Sequence, residues 1–261
     1  MRNEKDSNKT FAPPEGYIEG RNAVTEALRA GRPIDKLFVA KGDADAGLSR
    51  IAAMAKSAGI PVVDIDRRKL DTMSVTGAHQ GVIAACAVKE YVSVAEILNI
   101  AKEKGEDPFI IICDEISDPH NLGAIVRTAE AAGVHGIIIP KRRSAGATAT
   151  VAKTSAGAVE YMPIARVPNI VSAIEELKKA GVWIYGTAAD GASGLWSTDL
   201  KGPIALVIGS EGDGMSRLVS ENCDFKLSIP MAGKISSLNA SCSAAIVIYE
   251  AVRQRNQDNK R

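Results

Sequence analysis

Three short runs of almost unbroken apolar residues constrain this chain most: Phe109-Ile110-Ile111-Ile112-Cys113, Gly136-Ile137-Ile138-Ile139 and Ile204-Ala205-Leu206-Val207-Ile208. A strand with one wet face would alternate apolar and polar residues. Runs without that alternation fit parallel strands covered on both faces, and parallel strands need crossover helices between them. The intervening sequence supplies such helices at Leu122 to Ala132, stopped by Gly133, and at Ile170 to Ala180, stopped by Gly181. Ser216 to Asn222 and Leu238 to Arg255 also read as helices, and Val182 to Tyr185 and Phe225 to Ile229 as strands. The pattern predicts an α/β domain with a mainly parallel sheet over residues 106–256.

A smaller α/β domain is predicted before it, over residues 17–88. Its elements are a short amphipathic helix within Gly20 to Leu28, a strand at Lys36 to Ala40 and a helix from Ser49 to Ala58 closed by Gly59. Strands at Ile60 to Val63 and Gly81 to Cys86 complete it. Residues 1–16, charged and ending near Pro13-Pro14, read as a loose tail, and 257–261 as another. A linker at 89–105 carries one short helix, Val94 to Lys104.

The 261 residues suffice for two domains, but a formal net charge of +1 does not announce a nucleic-acid partner. Any such contact must be local. The best candidate is the stretch from Ala131 to Val159, which has no acidic residue and contains Lys141, Arg142, Arg143 and Lys153. Arg21, Arg29, Arg32 and Lys36 form a looser cluster. Cys86, Cys113, Cys223 and Cys242 are scattered without a CxxC pair, and His79, His120 and His135 are dispersed. Buried reduced thiols are therefore expected, with no disulfide framework and no metal. No apolar run approaches the roughly 20 residues that cross a bilayer. The polar start lacks a signal-peptide core, so a cytoplasmic location and no membrane are expected.

In open α/β sheets ligands collect beyond the carboxyl ends of the strands. Three polar, glycine-bearing segments follow strands in this way. In Asp118-Pro119-His120-Asn121-Leu122-Gly123-Ala124-Ile125-Val126-Arg127-Thr128, Asp118 can cap a helix with Pro119 in its first turn. Gly123 leaves room for something to approach, with Arg127 above it at i,i+4; taken alone, an exposed arginine on an ordinary amphipathic helix is the better reading. Gly209-Ser210-Glu211-Gly212-Asp213-Gly214 resembles a phosphate cradle, but its glycine order is G-x-x-G-x-G. Its two carboxylates would repel a pyrophosphate and better suit a hydroxyl-rich nucleoside or a sulfonium, unless the segment is simply a tight turn. In the third segment, Pro230 ends a strand, Gly233 permits a bend, and Ser236, Ser237 and Asn239 crowd a helix start. That is more hydrogen-bonding capacity than one cap requires.

Taken in order, these segments resemble the three signature motifs of the SpoU family of RNA ribose 2'-O-methyltransferases, in the SPOUT superfamily. The matches are Asn121-x-Gly123-x-x-x-Arg127-Thr128, then Gly209-x-Glu211-x-x-Gly214, then Ile229-Pro230-Met231 followed by Ser237-Leu238-Asn239-x-Ser241. Gly20-Arg21-Asn22-Ala23-Val24, Ile34-Asp35-Lys36-Leu37 and His79-Gln80-Gly81-Val82 resemble the substrate-binding domain of the 23S rRNA guanosine 2'-O-methyltransferase branch. That domain is similar to a small ribosomal RNA-binding protein.

The resemblance implies a trefoil knot in the C-terminal domain, a topology otherwise rare. It also implies a homodimer whose active sites draw on both chains, and S-adenosylmethionine held largely by backbone atoms at positions matching Gly209, Ile229 and Leu238. Arg127 would orient the ribose 2'-hydroxyl and a phosphate, because a group with a pKa above about 12 is a poor base. Asn121 would orient the substrate or Arg127, while Glu211, Ser237 and Asn239 would shape the site. The long C-terminal helix, with Ala244, Ala245, Ile248 and Val252, would contribute to the dimer interface. Relatives acting on tRNA or conferring antibiotic resistance through rRNA remain alternatives, as does a non-catalytic RNA-binding protein. A nucleotide-dependent oxidoreductase is disfavoured by the glycine order.

Overall fold

The computed structural model describes residues 16–42, 45–86, 89–188, 193–235 and 237–258. The expected N-terminal tail up to residue 15, Ser236 and residues 259–261 lie outside the described residues.

The first sheet comprises β1 (Tyr17–Glu19), β2 (Ile34–Ala40), β3 (Val62–Ile65) and β4 (Val82–Cys86), in the order β1-β4-β2-β3. Helices α1 (Arg21–Arg29), α2 (Ala46–Ser57) and α3 (Arg67–Met73) connect them. β2 and β3 are parallel across α2, whereas β4 runs antiparallel to both of its neighbours. β1 and α3 were not expected: three residues of strand and seven of polar helix leave little periodicity to read. The two N-terminal segments with a family likeness meet here. Gln80 accepts a hydrogen bond from the Arg21 backbone N–H at 3.0 Å, and Arg21 Nε donates to the Gln80 carbonyl at 3.1 Å.

Next come α4 (Val94–Lys104), β5 (Phe109–Cys113), α5 (Pro119–Ala131), β6 (Gly136–Pro140), α6 (Ala149–Thr154) and β7 (Ile164–Val167). The chain continues through α7 (Ile170–Lys179), β8 (Trp183–Thr187), β9 (Ser193–Gly194), β10 (Ile204–Ile208), α8 (Arg217–Asn222), β11 (Phe225–Ser228) and α9 (Ala240–Asp258). The second sheet has the order β7-β6-β5-β10-β8-β11-β9, and every neighbouring pair is parallel. Its apolar runs are buried on both faces. Phe109, Ile111 and Cys113 join one core with Leu122, Val126 and Ile248, while Ile110 and Ile112 join the other with Ile97, Ile174 and Leu177. Each such isoleucine contributes about 1.5–3 kcal/mol relative to exposure. α4, within the segment read as a linker, packs Val94 and Ile97 into that second core and buries Ala101 as well.

Capping fixes the helix starts. Asp118 accepts from the His120 N–H at 2.8 Å with Pro119 opening α5, and Ser93 with Glu96 forms a capping box on α4. Gly123, read as leaving room for something to approach the helix, is a packing position, and what approaches is α6. It is buried on α5, and a Cβ there would overlap Thr154 Oγ1 of α6. We expect Gly123→Ala to cost about 1–3 kcal/mol by forcing the helices apart. An unchanged urea midpoint would show that α6 yields without cost.

The domains share a core, for Ile18, Val24 and Leu37 belong to the same apolar cluster as Phe109 and Ile111. Arg32 pairs with Glu160 at 2.6 Å, Tyr161 Oη donates to Glu26 Oε2 at 2.7 Å, and Gly157 (φ 90°) lets Glu26 sit against the backbone. Cys86 and Cys113 are buried as expected, and burial pushes their thiols up to about 11 and about 12. Cys242, contrary to expectation, is exposed on α9.

Two buried groups should make the fold acid-sensitive. Glu19 accepts hydrogen bonds from Ser74 Oγ, Val75 N, Thr76 N and Thr76 Oγ1. Burial alone would raise its carboxyl, but these bonds outweigh burial and hold it below the usual range. His135 accepts from the Phe109 N–H through Nδ1, and burial lowers its pKa against the opposing Glu106 carboxylate. A depressed folded pKa gives stability that is present above the unfolded value and lost as pH falls through the folded one. Thermal midpoints should therefore begin to fall below about pH 6.5 through His135 and fall further below about pH 4.3 through Glu19. A flat profile between pH 7 and 4 would refute this.

Candidate active site

At the carboxyl ends of β8, β10 and β11 lies a cavity of about 360 Å³, bordered by Thr187, Gly209, Glu211, Ile229, Ser237 and Leu238 among others. The second and third polar segments line it, and the first reaches it through Asn121, which is hydrogen-bonded to Glu211. After β10, Ser210 and Gly214 exchange backbone hydrogen bonds of 2.9 and 3.1 Å, closing a tight loop with Gly214 at φ 67°. A Cβ on Gly209 would overlap the backbone of Gly214 and Met215, so only glycine lets the loop fold back on its own strand. The segment is thus both a turn and the wall of a site. It places Glu211 against the other two segments.

Glu211 Oε1 gathers the other two segments. Asn121 Nδ2 donates to it at 2.9 Å, Asn239 Nδ2 donates to it as well, and the Ala240 N–H approaches at 3.4 Å. Asn239 Nδ2 also donates to Asn121 Oδ1 at 2.9 Å. Its own Oδ1 accepts from the Ser241 and Cys242 N–H groups, at 3.0 and 3.2 Å, and so starts α9. Asn239 is therefore the cap, and the helix begins two residues later than the sequence suggested. The motif asparagines act in pinning the loops to one another.

Ser237 lies on the cavity wall, exposed. Arg127 is not brought into the cluster. It stands exposed six residues further along α5 than Asn121, with no hydrogen-bond or ion-pair partner among the described residues. Sequence reasoning missed Thr187 and Ala188, which line the cavity at the carboxyl end of β8. The strand-end rule applied to β8 would have found them. It also missed Asp114, only 4% exposed, whose Oδ2 accepts from the Ser216 N–H at 2.7 Å and anchors the loop after β10 to the end of β5. The described residues contain no group of three or more His, Cys, Asp or Glu able to hold a metal ion.

A cavity with apolar walls (Ile208, Ile229, Leu238), backbone polar atoms and a nearby carboxylate pair, Glu211 and Asp213, fits an amphipathic cation. The sequence profile of the SpoU rRNA methylase family matches residues 108–249, and that of the RNA 2'-O ribose methyltransferase substrate-binding domain matches residues 17–92. The chain belongs to the SpoU family. A TrmH-family tRNA/rRNA methyltransferase homologue of Bacillus subtilis, YacO, is 49% identical over 92% of this chain and 96% of its own. Among solved structures, the SpoU methyltransferase AviRb of Streptomyces viridochromogenes in complex with AdoMet superposes with a TM-score of 0.79 at 26% identity, covering 96% of this chain and 94% of that one. An AdoMet-bound rRNA methyltransferase of Sinorhizobium meliloti gives 0.75 at 25% identity over 92% and 87%. This SpoU-family protein is an RNA 2'-O-methyltransferase that uses S-adenosylmethionine.

Proposed function

We propose that this SpoU-family enzyme methylates the 2'-hydroxyl of a guanosine in 23S rRNA, in the cytoplasm and as a homodimer. The observation that carries the site assignment is the Asn121–Glu211–Asn239 cluster, which ties all three signature segments together through Glu211, a residue of the cavity wall. The choice of rRNA rests on the N-terminal domain and on the match to an rRNA methyltransferase across both domains.

Gly209, Ile229 and Leu238 would hold S-adenosylmethionine, with the Glu211 and Asp213 carboxylates favouring its positive charge. When bound, it supplies a methyl group on a sulfonium. The chain's own task is to position and activate the ribose oxygen. Arg127 orients the 2'-hydroxyl and a neighbouring phosphate and lowers the hydroxyl's effective pKa. Asn121, held by Glu211 and Asn239, fixes the start of the helix that carries Arg127, and Ser237 contributes a hydrogen-bonding hydroxyl at the wall.

A second copy completes the site. Arg127 faces outward without a side-chain partner among the described residues, and α9 presents a half-apolar outer face of Ala245, Ile246, Tyr249 and Val252. Ala244 and Ile248, expected on that face, are instead buried in the chain's own core. Tyr249 is 50% exposed, so Tyr249→Asp should leave the fold intact and yield monomers with little activity in sedimentation and methylation assays. An active monomer would refute a shared site. The knotted C-terminal path of the family belongs to the same proposal.

The decisive experiment transfers labelled methyl from S-adenosylmethionine to separated 23S, 16S and transfer RNA, then maps the 2'-O-methyl position. Label in a 23S guanosine supports the assignment, and label confined to tRNA overturns the target. Failure with every RNA overturns the function.

A further inference from the structure

A second cavity, of about 300 Å³, lies where the two domains meet. We propose that it is a second RNA subsite, holding an unpaired nucleotide of the substrate away from the target ribose; this rests on the RNA methyltransferase reading above. Arg32 and Val75 border it from the first domain, Tyr91 from the connector, and Thr148, Thr150 and Arg166 from the second domain.

Its chemistry suits a base and its phosphate. The Arg166 guanidinium lies 5.5 Å from the centre of the Tyr91 ring, and its Nη2 donates to the Lys141 carbonyl at 3.2 Å. Arg166 is exposed and has no carboxylate partner among the described residues. The Tyr91 ring is held in place because its hydroxyl accepts from the Ala147 N–H at 3.0 Å. A guanidinium beside a fixed aromatic ring is the pairing that receives splayed bases of single-stranded RNA. Val75, 53% exposed at the rim, adds apolar surface for a base.

Position supports the same occupant. Arg166 stands near the carboxyl end of β7, and exposed Lys141, Arg142 and Arg143 follow β6. The Ala145 N–H donates to the Ile116 carbonyl at 2.9 Å, joining this basic loop to the segment that leads into Asn121. β7 and β5 are separated by β6 alone, so the subsite stands about 10 Å in strand spacing from the segment that carries Asn121 and about 14 Å from the loop after β10, along one sheet edge. No acidic residue interrupts the chain from Ala131 to Val159, which favours a polyanion over an acidic or neutral peptide.

The test uses the full chain and ribosomal RNA. Arg166→Glu and Val75→Glu each change an exposed side chain. Both should weaken rRNA binding at least about tenfold in filter assays while leaving affinity for S-adenosylhomocysteine unchanged. With wild-type protein and RNA containing 4-thiouridine, photo-crosslinks should map to Tyr91 or to residues 146–150. Wild-type RNA affinity in both variants, or crosslinks confined to other surfaces, would overturn the subsite. If the wild-type protein neither binds nor methylates rRNA, the functional reading fails instead.

Discussion

Arg127→Ala is expected to slow methyl transfer to RNA by about 10²–10³-fold, the scale of losing one preorganised donor at a reacting oxygen. Affinity for S-adenosylhomocysteine should hardly change, because Arg127 is not on the wall of the cavity. Stability should also hold, since the side chain is exposed and makes no hydrogen bond or ion pair among the described residues. Arg127→Lys should recover only part of the rate: the ammonium keeps the charge but loses the planar fork that could engage a hydroxyl and a phosphate together. Single-turnover rates with saturating RNA separate this from a binding defect. Full methylation by Arg127→Ala with RNA bound would remove Arg127 from the mechanism.

Gly209→Ala should act on the other half of the reaction. The new methyl group would overlap the Gly214 carbonyl and the Met215 nitrogen, which are backbone atoms that cannot rotate away. The loop would have to open against its two Ser210–Gly214 hydrogen bonds, carrying Glu211 off Asn121 and Asn239. Overpacking of this kind costs about 1–3 kcal/mol. Because the loop is itself the cavity wall, the loss should appear as roughly ten- to hundredfold weaker binding of S-adenosylhomocysteine by calorimetry. Native affinity in this variant would mean that the loop does not shape the cavity.

The parts of the fold written in local periodicity were legible. α4, β5 and β10 have the bounds read from the sequence, because apolar runs and caps are local signals. The short edge strand β7 was missed, as four residues interrupted by Arg166 give little pattern. The three polar segments were visible because glycines and polar side chains bunch after strands. Their mutual wiring was not, since Asn121, Glu211 and Asn239 are far apart in the chain and meet only through the order of the sheet. Gly123 shows the limit most clearly. The same glycine suits an approaching ligand or an approaching helix, and only the position of Thr154 decides between them. α9 misled for a related reason: its apolar residues surround much of the helix, so spacing alone could not say that Ala244 and Ile248 point inward.

The junction built from Arg32–Glu160, Gly157 against Glu26, and a common core has a consequence for choosing RNA. A substrate-binding module on a flexible tether would raise the local concentration of any RNA it captured and would tolerate many arrangements of the target. Welded in place, it would work as a calliper. With the interdomain cavity holding a nucleotide as proposed, the span from there to the methylated ribose would be set by the protein, and an RNA carrying both features at the wrong separation would be rejected without any contact to the bases between them.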